Sequence, residues 1–178
     1  GNRPLPEGVD ELIDRQLHQQ EELSDDYDIA FITNPTVLHY ETIQLMLPRA
    51  RHLFIEKPLF ETDSHNLEQI PDCSDRIFYV AAPLRYTSVY QEIEKIVSQQ
   101  KIISARSICS SYLPHWRKGR DYRQNYSAMA EMGGGVQLDL IHEWDYLSAL
   151  FGMPDQIKTV AGRYSDLEIN SCDLAVYI

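Results

Sequence analysis

Cysteine is scarce, and each one is solitary. Cys73, Cys109 and Cys172 are three in number, far apart and without a C-x-x-C spacing. Neither a disulfide framework nor a zinc site is therefore expected. Positive charge is also short: 16 Lys and Arg stand against 27 Asp and Glu, a net charge of −11. Nucleic acid, whose phosphates demand clustered Lys and Arg, is not an expected partner. No apolar run approaches the ~20 residues that cross a bilayer. No signal-peptide pattern opens the sequence, so the expectation is a protein of the reducing cytoplasm with no membrane contact. Also missing is a G-x-G-x-x-G loop, which sets a pyrophosphate on a helix N-terminus. Gly133-Gly134-Gly135 does not have that spacing.

What remains is ordinary globular composition, with 43% hydrophobic and 24% charged residues over 178 positions. Short apolar runs at 28–33, at Leu53-Phe54-Ile55 and at 77–82 read as buried strands. Helical patterns are expected at 9–20, 37–47 and 65–69. Val89, Ile93, Ile96 and Val97 mark one face of an amphipathic helix. Strands alternating with helices predict a parallel sheet with crossover helices. Beyond residue 100 the texture changes: 102–109, 158–164 and 173–178 are strand-like, as in an open, mostly antiparallel sheet with one solvated face. The expected architecture is α/β, a partial Rossmann-like domain at 1–84 followed by an α+β domain at 85–178.

Glu56-Lys57-Pro58 closes the second of these strands. In open α/β sheets ligands bind outside the carboxyl ends of the strands, so Lys57 is placed to meet a substrate. A strand ending in Asn34-Pro35-Thr36, a helix bearing His39 and a strand ending in Glu-Lys-Pro form one β-α-β unit. His39 equally fits a satisfied helix histidine. Further on, the three glycines free the backbone for a close approach, and a helix is expected over 139–151, ended by Gly152. On it Asp139, His142, Glu143 and Tyr146 share one face, and Leu140, Ile141, Trp144, Leu147 and Phe151 gather on the other. That polar face could be a solvated surface with an N-cap Asp. It could also be an imidazole acid or base oriented by a carboxylate.

Taken together, these motifs resemble the glucose-fructose oxidoreductase and inositol dehydrogenase family of NAD(P)-dependent oxidoreductases. The matching pieces are residues 32–39, Glu56-Lys57-Pro58, Arg85, and 133–152 with His142 and Asp145. The resemblance implies NAD or NADP as cofactor, near Asn34, Pro35, Thr36, His39, Glu56, Lys57, Pro58 and Arg85. It implies that Lys57 and His142 face a sugar, nucleotide-sugar or cyclitol. His142 takes the hydroxyl proton, and Lys57 steadies the oxygen while hydride leaves. Asp139 stands one residue closer to the His than in many members, so it either orients His142 or caps the helix. The family carries a glycine loop before the first of these strands and continues past Ile178, so a fragment is expected.

The stretch 112–126 is rich in aromatics and arginines. Trp116, Arg117, Arg123 and Tyr126 are candidate substrate contacts, and the stretch equally fits a surface loop over the sheet. A bare apolar sheet face would favour a homo-oligomer. Two other classes stay open: a non-catalytic dinucleotide- or sugar-binding relative, and a metal-dependent hydrolase using Asp139, His142, Glu143 and Asp145. A second set of well-spaced ligands is absent, and no metal is expected.

Overall fold

A computed structural model describes residues 8–65 and 75–178. β1 (Tyr27–Ile32), β2 (Ala50–Ile55) and β3 (Phe78–Val80) form a parallel sheet in that order, with Ile32 opposite Ile55 and Ile55 opposite Val80. A 3-10 turn (Thr36–Leu38) leads into α1 (His39–Met46), the crossover between β1 and β2. Alternation along each strand sends Ile32, Leu53 and Ile55 to one face, where Ile43, Met46 and Leu47 close the core. The opposite face carries a row of rings across the strands, Phe31–Phe54–Tyr79, with centroids 5.2 and 5.5 Å apart. Phe31 is exposed there.

The second part begins with a 3-10 turn (Pro83–Tyr86) and α2 (Ser88–Gln99). Tyr90 is the buried residue of α2, while Val89, Ile93 and Ile96 face outward. α3 (Val136–Asp139) and α4 (His142–Phe151) follow, and β4 (Thr159–Gly162) pairs antiparallel with β5 (Leu174–Tyr177). Trp144 of α4 packs edge-on against Tyr177 at 4.9 Å, which seats the helix on this two-stranded sheet.

Three expectations are corrected. The helix expected at 9–20 is replaced by 3-10 turns at Asp10–Leu12 and Gln20–Glu22. Leu12 is exposed, and a short helix without a surface to pack on is marginal in water. The strand expected at 102–109 is not a strand, and Ile103 and Ile108 lie exposed. Among the described residues its apolar pattern has no neighbouring strand to complete a ladder. The helix expected over 139–151 is broken in two at Leu140-Ile141. The helix expected at 65–69 lies outside the described residues beyond His65.

Candidate active site at the carboxyl edge of the parallel sheet

The carboxyl ends of the three strands are tied together: the Glu56 N–H donates to Ile32 O and the Ala81 N–H to Ile55 O, both at 2.8 Å. His39, 1% exposed, joins the loops that leave β1 and β2. Its Nδ1 lies 3.0 Å from Pro58 O and 3.2 Å from Leu59 O, and its Nε2 lies 3.0 Å from Asn34 O. His39 thus sits buried between carbonyls of both loops and sets the loop around Lys57. Asn34 donates its amide to Thr42 Oγ1 at 2.7 Å. The amide oxygen Asn34 Oδ1 is buried without a partner among the described residues.

Lys57 points away from this clamp and reaches the second half of the chain. Its Nζ donates to the backbone carbonyl of Asp139 at 2.9 Å. The break after α3 makes that carbonyl available. In a continuous helix Asp139 O would accept from Glu143 N, four residues on. Instead the Glu143 N–H donates to Leu140 O at 3.1 Å, with Leu140 at φ −101° and ψ 27°.

The glycine run brings the two parts close. Gly133 adopts a left-handed φ of 75°, and an added Cβ there would meet Glu61 Cβ at 3.2 Å and Thr36 Cβ at 3.5 Å. At Gly134 an added Cβ would collide with Tyr126 O. Only glycine permits this packing beneath buried Thr36.

His142, half-buried at the start of α4, lies within the field of Lys57, Asp145, Glu56 and Glu143. Burial first, then the Lys57 charge, push its pKa below the ordinary 6.5. The imidazole is held neutral, able to accept a proton. Tyr126 sits by Asp139, and burial followed by the Asp139 charge raise its phenol pKa. The structure therefore gathers Glu56, Lys57, Asp139, His142 and Tyr126 around one corner.

The other predicted residues are engaged differently. Arg85 binds Asp145 with two donors, Nη2 to Oδ1 at 2.6 Å and Nε to Oδ2 at 3.1 Å. Glu143 and Tyr146 are bound to each other and to Ser107, which lies 2.6 Å from the Tyr146 hydroxyl. They form a packed polar cluster. Ser107 had no signal in the sequence, because the contact joins segments 36 residues apart. In the aromatic loop, Trp116 donates to Ser111 Oγ, and the Arg117 guanidinium lies 5.8 Å above the Tyr126 ring. Arg123 is committed to Asp121, at 2.8 to 3.0 Å, and to Glu168 at 3.0 Å. Among the described residues no group of three or more His, Cys, Asp or Glu could hold a metal ion. Nor is any described helix long and apolar enough to cross a membrane.

No family model matches the chain. Scyllo-inositol 2-dehydrogenase (NADP(+)) IolW of Bacillus subtilis is 24% identical over 146 residues, covering 79% of this chain and 40% of that protein. An NAD-binding protein from Listeria innocua superposes with a TM-score of 0.67 at 22% identity, over 90% of this chain and 48% of that one. The WlbA (WbpB) dehydrogenase of Thermus thermophilus, in complex with NAD and UDP-GlcNAcA, superposes with a TM-score of 0.54 at 23% identity, over 82% of this chain and 48% of that one. The chain spans less than half the length of each of these proteins. Sequence and fold agree with the motifs, and the chain is similar to the NAD(P)-dependent oxidoreductases of the glucose-fructose oxidoreductase and inositol dehydrogenase type.

Proposed function

We propose that this protein is an NAD(P)-dependent oxidoreductase acting on a hydroxyl, or the matching ketone, of a sugar, nucleotide-sugar or cyclitol. The observation that carries the reading is Lys57, anchored on the Asp139 carbonyl at 2.9 Å with its charge felt by His142. A fixed cation beside a neutral imidazole is the pair an alcohol oxidation needs.

The chain's own residues do the following. His142 takes the hydroxyl proton on its imidazole. Lys57 faces the oxygen as negative charge develops there, and its anchor on a backbone carbonyl means it does not reorganise at that moment. Asp139 acts through that carbonyl, and its carboxylate orients the Tyr126 hydroxyl. The residues also fit a nicotinamide: Asn34 Oδ1, at the carboxyl edge of the sheet beside Glu56 and Lys57, is a buried acceptor without a partner among the described residues. Asn34, Pro35, Thr36, His39, Glu56, Pro58 and Arg85 form the wall on that side, with His39 acting by holding the loops in place. When bound, the nicotinamide accepts or returns the hydride. Trp116, Arg117 and Tyr126 line the substrate side, and Arg123 braces the loop.

Residues 1–84 are read as the dinucleotide-binding part and 85–178 as the substrate part. The exposed Val160, Leu174 and Val176 of the β4–β5 sheet support a homo-oligomer, and the free thiols of Cys109 and Cys172 support a cytoplasmic setting. Titration with NADH and NADPH, followed by a screen of inositols, sugars and nucleotide-sugars for NAD(P)H formation, tests the reading. Saturable cofactor binding with turnover is expected, and no NAD(P)H formation with any of them would overturn it. One other reading is a non-catalytic dinucleotide- or sugar-binding relative. Binding without turnover is its signature.

A further inference from the structure

The aromatic loop borders a cavity of about 390 Å³ that is open to solvent, within the size range of small-molecule sites. Leu113 and Pro114 form its apolar side, and Arg117, Arg120, Gln124 and Asn125 its polar side. Three features of this lining point to a ligand. Asn125 is 7% exposed, and its Oδ1 is buried without a hydrogen-bond partner among the described residues. A buried acceptor left without a donor is costly and rare in a folded chain. Arg120 also lines the cavity, and its guanidinium has no carboxylate partner among the described residues. Asp121, the one acidic side chain in the lining, is already held by Arg123 at 2.8 Å and does not neutralise Arg120. The cavity therefore carries net positive charge in a protein whose net charge is −11.

We propose that this cavity binds the anionic group of the substrate, and that the substrate is a sugar bearing an oxyanion, either a carboxylate or a phosphate. Arg120 and Arg117 pair with the oxyanion through their N–H forks. A hydroxyl of the same sugar donates to Asn125 Oδ1. The location suits this role. Asn125 precedes Tyr126, whose ring lies under Arg117 and whose phenol feels the charge of Asp139, the residue that holds Lys57. In the proposed pose the sugar runs from the cavity along Tyr126 toward Lys57 and His142. This inference rests on the oxidoreductase reading for the fate of the ligand, but not for its binding.

The test is calorimetry on the whole chain without nicotinamide, using glucuronate, glucose 6-phosphate and glucose as probes. At least one anionic sugar should bind about tenfold or more tightly than glucose, and the better of the two identifies the oxyanion. Arg120 is exposed, so Arg120→Gln keeps the fold, and it should weaken the anionic probe about tenfold while leaving glucose unchanged. Asn125→Ala should weaken the same probe further. Equal affinity for glucose and both anionic sugars, no binding of any probe, or an Arg120→Gln variant with unchanged affinities overturns the proposal. The two readings fail separately. Anionic binding without NAD(P)H formation removes the oxidoreductase and leaves the cavity. Turnover of a neutral cyclitol together with equal affinity for glucose and both anionic sugars removes the cavity and leaves the oxidoreductase.

Discussion

Lys57 Nζ and the carbonyl oxygen of Asp139 lie 2.9 Å apart, joining positions 82 residues distant in the chain. The bond exists because α3 stops at Asp139 and α4 begins at His142. A hydrogen bond to a backbone acceptor depends on that break and not on the aspartate side chain.

Lys57 and Asp139 should therefore separate on mutation. Lys57→Met is expected to lower kcat by about 10²–10³, the cost of removing one donor from a developing oxyanion. Asp139→Asn keeps the carbonyl and should retain most of that rate. Its separate effect is to let the Tyr126 phenol titrate lower, still above the ordinary value because burial persists. Steady-state kinetics and carbon-13 NMR of labelled tyrosine check both. A kcat in Asp139→Asn as low as in Lys57→Met would contradict the backbone anchor.

His142 should titrate below 6.5, since burial and the Lys57 charge both disfavour the imidazolium. Because the folded-state value is depressed, the unfolded chain takes up this proton more readily. His142 thus adds stability above the unfolded value, and that contribution is lost as pH falls through the folded one. Activity should be flat near neutrality and fall only in acid. In Lys57→Met the NMR midpoint should rise part of the way toward 6.5, with burial accounting for the remainder.

His39→Leu should cost about 1–3 kcal/mol in urea unfolding, because a buried carbonyl that accepts from the ring N–H loses its donor. Hydrogen exchange should rise at Glu56 and Lys57, and KM should rise with it.

Ile43→Ala, at a position 0% exposed between the sheet and α1, should cost about 2–5 kcal/mol by leaving a cavity. Ile43 contributes nothing to the corner around Lys57, so kcat measured well below the melting temperature should stay near that of the parent.

The Arg85–Asp145 pair has side chains 41% and 25% exposed. Solvent screens it, and a double-mutant cycle by denaturation should give a coupling of about 0.5–1 kcal/mol. A coupling near zero would show that the pair does not hold the Pro83–Tyr86 turn against α4.

Much of the first half was legible in the sequence. Buried parallel strands are written as short apolar runs, so 28–33 and 77–82 announced β1 and β3 within a residue or two. The position of Glu56-Lys57 followed from the strand before it. The close approach at the glycine run was also readable, since Gly134 leaves no room for a Cβ and Gly133 takes a left-handed φ. Less could be read where a residue's fate depended on a distant partner. Apolar patterning at 102–109 looked like a strand, yet hydrogen-bond pairing is decided by a neighbour that the pattern does not name. Glu143 and Tyr146 looked free on a helix face, and Ser107 occupies both.

By itself the sequence determined the β-α-β unit, the lysine at its carboxyl edge and the likeness to a family, because hydrophobic period and turn chemistry are local properties. Tertiary structure decided what each polar group does. It made His39 a clamp, broke the expected helix so that Asp139 could hold Lys57, bound Arg123 to carboxylates, and left the buried Asn125 Oδ1 without a partner among the described residues. Hydrogen bonds and charges act over a few ångströms, and only the folded chain sets which residues come that close.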